Sequence, residues 1–134
     1  MRRWWTWFTL LILGSCSAFV VPNLLNAQNR SKQNRTMADM RSIATAVESY
    51  EVDHPDWKGD VTPSFGKLPL KDGWNRPFHI QVWTDKDNNP SYRIWSAGRD
   101  GKRDTKWGNP APTRNFDNDV VYENGTFTQY PEGA

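Results

Sequence analysis

"NLLNAQNRSKQNRTMADMRSIATAVESYEVD", residues 23–53, runs for 31 residues without a glycine or a proline. Met37, Met40, Ala44 and Val47 recur in it at steps of three and four, and Ile43 and Tyr50 widen the same stripe. That spacing predicts an amphipathic helix with one apolar face. Arg30, Lys32, Arg35, Asp39, Arg41 and Glu48 mostly lie off the face. His54-Pro55 should end the helix, because a residue before proline avoids the α region. At 1.5 Å per residue the segment would be about 46 Å long. About 80 further residues make too small a domain to cover that length, so the N-terminal half is expected to project. Within it, "NAQNRSKQNR" (26–35) is polar almost all round. Such a surface suits a solvated connection or a face packed into an assembly.

Upstream, Arg2 and Arg3 precede an uncharged run over residues 4–25. Two arginines before an apolar stretch make a signal or an anchor, and the positive-inside rule places the rest of the chain outside the cytoplasm. Two readings stay open. "LGSC" (13–16) has the form of a lipobox, with Cys16, the only cysteine, as the lipidated residue. Alternatively, the 22 residues of 4–25 form a membrane helix, since about 20 suffice to span a bilayer. Either way the expected location is membrane-anchored, with the bulk of the chain in the periplasm or another extracytoplasmic space. The expected organisation is an anchor or lipoprotein-type signal at 1–25, a helical stalk at 26–53 that continues into the head, and a β head at 54–130.

Residues 55–77 alternate prolines and glycines and read as loop. "FHIQVWTD" (78–85) and "SYRIWSAG" (91–98) alternate as strands, joined by a turn at "DKDNNP". That turn begins like an EF-hand loop, but Pro90 stands at the sixth position and Ser96 at the twelfth, where glycine and glutamate belong. "DVVYENGTFTQY" (119–130) reads as a hairpin closed by a type I′ turn at Asn124-Gly125. Between the second and third strands, "GRDGKRDTKWGNPAPTRNFDNDVV" (98–121) shows no regular pattern and carries Asp100, Asp104, Asp117 and Asp119. A long loop in a small domain usually has a function. The fold class expected is α+β, with the long helix laid by residues 37–50 across about four antiparallel strands.

Net charge is +2, and it falls to zero without Arg2 and Arg3, which gives no reason to expect nucleic acid. One cysteine and two histidines make neither an internal disulfide nor a structural zinc site. His54 and His79 have no serine or cysteine motif beside them, and no phosphate loop, paired-carboxylate or nucleophile-elbow pattern occurs. An enzyme is not expected. Trp57, Trp74, Trp83, Trp95 and Trp107 could serve a carbohydrate-type platform, a binding function of another class, or act as core and loop anchors.

Taken together, "VVPNLLNAQNRSKQNRTMADMRSIATAVESYEVD", "LPLKDGWNRPF", "YRIWSAGRDGKRD" and "NFDNDVVYENG", in this order, resemble type IV pilin-like proteins. The likeness is greatest to the major pseudopilin family of type II secretion (general secretion pathway protein G). It implies a pilin-like fold, a structural subunit of a secretion or pilus machine, other pseudopilin or secretion-machine subunits as partners, and a possible homo-oligomer. The start departs from the pattern. Trp7 stands where the family has glycine, no glutamate follows "FTL", and only 13 residues separate Phe8 from Pro22. A lipobox in place of the prepilin signal would give a lipid-tethered accessory or ligand-binding domain of the same fold that does not polymerise.

The resemblance also implies a calcium ion in the loop before the last strands, with Asp100, Asp117 and Asp119 as the matching ligands. The chemistry is sound, since calcium takes six to eight oxygens. Asn118, Asp104 and carbonyls near Ser96 and Ala97 could add donors. Lys102, Arg103 and Lys106 in the same loop compete for the carboxylates, and aspartates at turns are common without any metal.

Overall fold

Helix α1 spans Arg2–Asp53 in a computed structural model, which describes the backbone of residues 2–65, 71–104 and 111–132 and, within these, the side chains from Val21 on except that of Ala111. It begins well before residue 23 and passes through Pro22, a residue with no N–H to give to the preceding turn. Its end falls where the His54-Pro55 pair puts it, with the His54 amide closing on the carbonyls of Tyr50 and Glu51 at 3.0 and 3.2 Å. The chain divides into two compact units, Met1–Arg30 and Ser31–Ala134. The first is helix. Among the described residues no helix is long and apolar enough to cross a membrane. The side chain of Cys16 lies outside the described ones.

The second unit holds the remainder of α1 and the sheet. The strands are β1 (Gly59–Asp60), β2 (His79–Thr84), β3 (Pro90–Ser96), β4 (Ala111–Thr113), β5 (Val120–Glu123) and β6 (Thr126–Pro131). They form one sheet in the order β1-β2-β3-β5-β6-β4. All pairs are antiparallel except β4 with β6. The expectation of about four strands is therefore corrected to six among the described residues. The segment 55–77, read as loop, contains β1 and a 3₁₀ turn at Thr62–Phe65. The loop 98–121, read as irregular, contains β4.

The apolar stripe of α1 is buried as its spacing requires. Met40 and Ile43 are fully covered, Val47 is 1% exposed and Met37 5%. They meet Phe78 just before β2, Ile80 and Val82 from one side of β2, Tyr92 and Ile94 from β3, and Val120 from β5. Val61 and Phe65 close one end of this core. Each fully buried aliphatic side chain contributes about 1.5–3 kcal/mol, so this contact is the main support of the fold. Two hydrogen bonds add direction to it. The Tyr92 hydroxyl donates to Glu48 at 2.5 Å, and the Gly73 amide donates to Thr36 Oγ1 at 2.9 Å.

Both expected hairpin turns form. Asn124 and Gly125 have φ of 46° and 87°, the pair of positive values that a type I′ turn needs. At 85–89, Asp85 Oδ1 accepts the amides of Asp87 and Asn89 at 2.9 and 2.8 Å. This is turn chemistry, in keeping with the missing EF-hand positions. On the sheet face away from α1, Arg93 lies over Trp83 and Arg103 over Trp95, which also stacks on His79.

Candidate functional site

The acidic loop leaves β3 through Gly98, at φ 60°. A Cβ there would come within 2.5 Å of the carbonyl oxygens of Asp117 and Asn118, so the two ends of the loop touch backbone to backbone. The Arg99 amide donates to the Phe116 carbonyl at 2.9 Å across the same contact. The Arg99 side chain then grips Asp117 with two bonds, Nε to Oδ1 at 2.7 Å and Nη2 to Oδ2 at 2.9 Å. Those bonds hold the Asp117 carboxyl below the usual aspartate range and push Arg99 up.

Asp104 and Asp119 form a second, reciprocal pair. Asp119 Oδ2 accepts the Asp104 amide at 3.0 Å, and Asp104 Oδ2 accepts the Asp119 amide at 2.9 Å. Gln129 on β6 donates to Asp104 Oδ2 at 2.8 Å. Asp119 is fully buried. Asp100 stands apart at the turn, where its Oδ1 accepts the Lys102 amide at 2.8 Å. The structure thus brings Asp119 to Asp104, engages Asp117 with Arg99, and keeps Asp100 at its own turn. No three acidic, histidine or cysteine side chains converge as candidate metal ligands among the described residues. The nearest approach to a donor set is Asp104 with Asp119, two carboxylates that each accept the other residue's amide and that alone fall short of the six to eight oxygens calcium takes. Lys106 and Trp107 lie outside the described residues.

The far end of the loop is tied down as well. Arg114 binds both oxygens of Glu132, one through Nε and the other through Nη2 at 2.9 Å, and the Glu132 amide donates to the Thr113 carbonyl at 2.9 Å.

One densely bonded carboxylate is not among those that the spacing of acidic residues singled out. Asp72 is 3% exposed. Its Oδ1 accepts the amides of Trp74 and Arg76, both at 2.9 Å, and its Oδ2 accepts the Ser96 hydroxyl at 2.5 Å. Beside it, a Cβ on Gly73 would collide with the backbone carbonyl of Lys32. "DGWNR" is therefore a buckle that fastens the turn to α1 on one side and to β3 on the other. Arg76 extends it to the acidic loop, donating from Nη2 to the Arg99 carbonyl at 2.8 Å. The Asp-Gly pair and the positive φ of Asn75, 64°, are the local signals of that turn.

The described tryptophans do not share one platform. Trp57 packs against Tyr50 and Phe65, Trp74 sits in the buckle, and Trp83 and Trp95 lie under arginines on the outer sheet face. His54 stacks on Tyr50 and His79 on Trp95.

A long helix seated on a six-stranded, mostly antiparallel sheet is an α+β, pilin-like architecture. The chain is 25% identical over 122 residues to the type II secretion system core protein G of Dickeya chrysanthemi, a match covering 83% of this chain and 76% of that protein. This distant similarity bears out the resemblance carried by the sequence motifs, and the relative is named as a core protein of type II secretion. No family model matches the chain, and no solved structure does.

Proposed function

We propose that this chain is a pseudopilin-like structural subunit of a type II secretion or type IV pilus-like machine. It is held to the membrane through its N-terminal segment, with its head in the periplasm or another extracytoplasmic space. The observation that carries the reading is the packing of the 37–47 stripe under the sheet, with a distant relative named for such a machine. Upstream of that stripe Val21, Leu24 and Leu25 are more than half exposed, an apolar strip suited to other subunits or to lipid. Cysteine substitution at Leu24, with Cys16 replaced by serine, tests assembly. Oxidation in cells should give disulfide-linked multimers or adducts with machine subunits, and monomer alone would remove the assembly role.

In this reading the acidic loop takes calcium at Asp104 and Asp119. Asp100 can join through Oδ2 while its Oδ1 keeps the Lys102 amide, and Asp117 joins in competition with Arg99. Calcium would add a positive charge between carboxylates and hold the loop in place. Binding to the folded state alone raises the melting temperature with metal concentration. A calcium-dependent rise that chelator reverses, and that Asp119→Asn removes, is the expected result. An identical melt in calcium and chelator would take the metal out of the account.

A second reading is favoured by the start of the chain, where "LGSC" is present and the family glycine and glutamate are not. There the head is tethered by lipid on Cys16 and acts without polymerising. Mass spectrometry of the mature N-terminus decides between the two, since a diacylglyceryl-cysteine at 16 is expected only for the second.

A further inference from the structure

Asn124-Gly125 is the single Asn-Gly pair of the sequence, and both residues are exposed at the tip of the β5–β6 hairpin. Such a pair carries a reactivity of its own. The deprotonated backbone nitrogen that follows an asparagine attacks the side-chain Cγ. A new N–C bond closes a succinimide ring, and the side-chain nitrogen leaves as ammonia. Water then opens the ring at either carbonyl and gives aspartate or isoaspartate. The step needs only base and water, and both reach an exposed turn. Glycine is the most permissive second residue, because no Cβ shields its nitrogen or restricts its backbone.

The fold holds the two reacting groups apart in two ways. The first is the turn type. With φ of 46° at Asn124 and 87° at Gly125, the turn is type I′, whose first central residue has ψ of about +30°. That ψ turns the Gly125 nitrogen to the far side of the Cα–C bond from the Asn124 Cβ. A type II′ turn has ψ of about −120° there and would bring the nitrogen round to the side chain, but it needs a negative φ at its second residue. The two turns differ by a flip of one peptide group. The second restraint is the side chain itself. Asn124 Oδ1 accepts the Tyr92 amide at 2.8 Å, Nδ2 donates to Ser91 Oγ at 3.4 Å, and the Asn124 amide donates to the Tyr92 carbonyl at 3.2 Å. Cγ is thus drawn onto β3 and away from Gly125.

We propose that Asn124 is a modification site, forming succinimide and then isoaspartate, and that the type I′ turn clamped on β3 keeps it latent until the hairpin tip lifts and the peptide between 124 and 125 flips. Refolding does not undo the product. Isoaspartate adds one carbon to the main chain, and a two-residue loop between the paired Glu123 and Thr126 has no slack for it. The site is separate from the acidic loop and does not depend on the secretory reading.

The test incubates the full chain, below its melting temperature, beside a synthetic peptide of residues 119–130 in mildly alkaline buffer. Mass spectrometry of proteolytic fragments follows Asn124, and labelling by isoaspartate methyltransferase separates isoaspartate from aspartate. The peptide should convert, and the full chain should convert at least about tenfold more slowly, because only its open fraction reacts. Urea below the unfolding transition should speed the conversion in proportion to hydrogen exchange at the Tyr92 amide, the group that holds Oδ1. Gly125→Ala probes the turn type. A Cβ at Gly125 meets no atom within 4 Å, so this change acts through φ and favours the flipped turn. The ratio of chain to matching peptide should rise. If that variant unfolds, the urea series on the unaltered chain still decides. Equal rates in chain and peptide, a peptide that forms no isoaspartate, or a rate that stays flat while Tyr92 exchange rises would overturn the proposal.

Discussion

At residue scale the buckle at 72–76 shows how one turn can join three parts of a fold. Gly73 is required by space, since its amide is pulled onto Thr36 and any Cβ meets the backbone of Lys32, which cannot rotate away. Gly73→Ala should therefore destabilise the chain by about 1–3 kcal/mol or more, the range of core overpacking, visible as a lower urea midpoint. The Arg99–Asp117 pair gives a second prediction. Arg99's hydrogen bonds hold Asp117 below its ordinary value. Its contribution is then complete above the unfolded aspartate range and is lost as pH falls through that range to the folded value. Arg99→Gln should move the Asp117 carboxyl titration, followed by carbon NMR, up towards the ordinary range, and should flatten the acid limb of the stability curve. Because the pair is largely exposed, salt should blunt the difference.

Elements differ in how much of them a local reading can reach. The stripe of α1 was legible because its period repeats through residues 37–50, and the β5–β6 hairpin because Asn124-Gly125 lies between alternating runs. Asn124 also does more than turn the chain. Its Oδ1 accepts the Tyr92 amide at 2.8 Å, and its own amide donates to the Tyr92 carbonyl at 3.2 Å, so the hairpin tip is bonded back to β3. Asn124→Ala should lose both the tolerance for positive φ and the side-chain bond, at about 1–3 kcal/mol, whereas Gly at 124 should recover the part due to φ. A comparison of melting temperatures separates the two. By contrast, β1 and β4 have two and three residues, too few to show a period, and β4 pairs in parallel with a strand that follows it by 18 positions in register. The candidate ligands were legible only as acidic residues in a loop. Nothing in their spacing could reveal that Arg99 takes Asp117, or that Asp104 is the residue that meets Asp119, because each pairing depends on the chain crossing itself at Gly98.

For the whole molecule, the question is which residues the head needs in order to fold. Among the described residues every member of the buried core lies at or after Met37, and the second compact unit begins at Ser31. The hydrogen bonds that fasten the buckle to α1 reach no further back than Lys32, whose carbonyl accepts the Thr36 hydroxyl at 2.8 Å. A chain beginning at Ser31 keeps all of these groups and places a serine, a good N-cap residue, at the new helix start. It should unfold in one cooperative transition, as single domains of this size do. Its melting temperature should fall a few degrees at most, since fraying of the first turn touches only the Thr36 contact and about 1 kcal/mol shifts the midpoint of a ~100-residue domain by roughly 4–8 °C. A broad, non-cooperative melt would mean that residues before 31 supply part of the head's stability. A sharp melt would assign folding to the head alone.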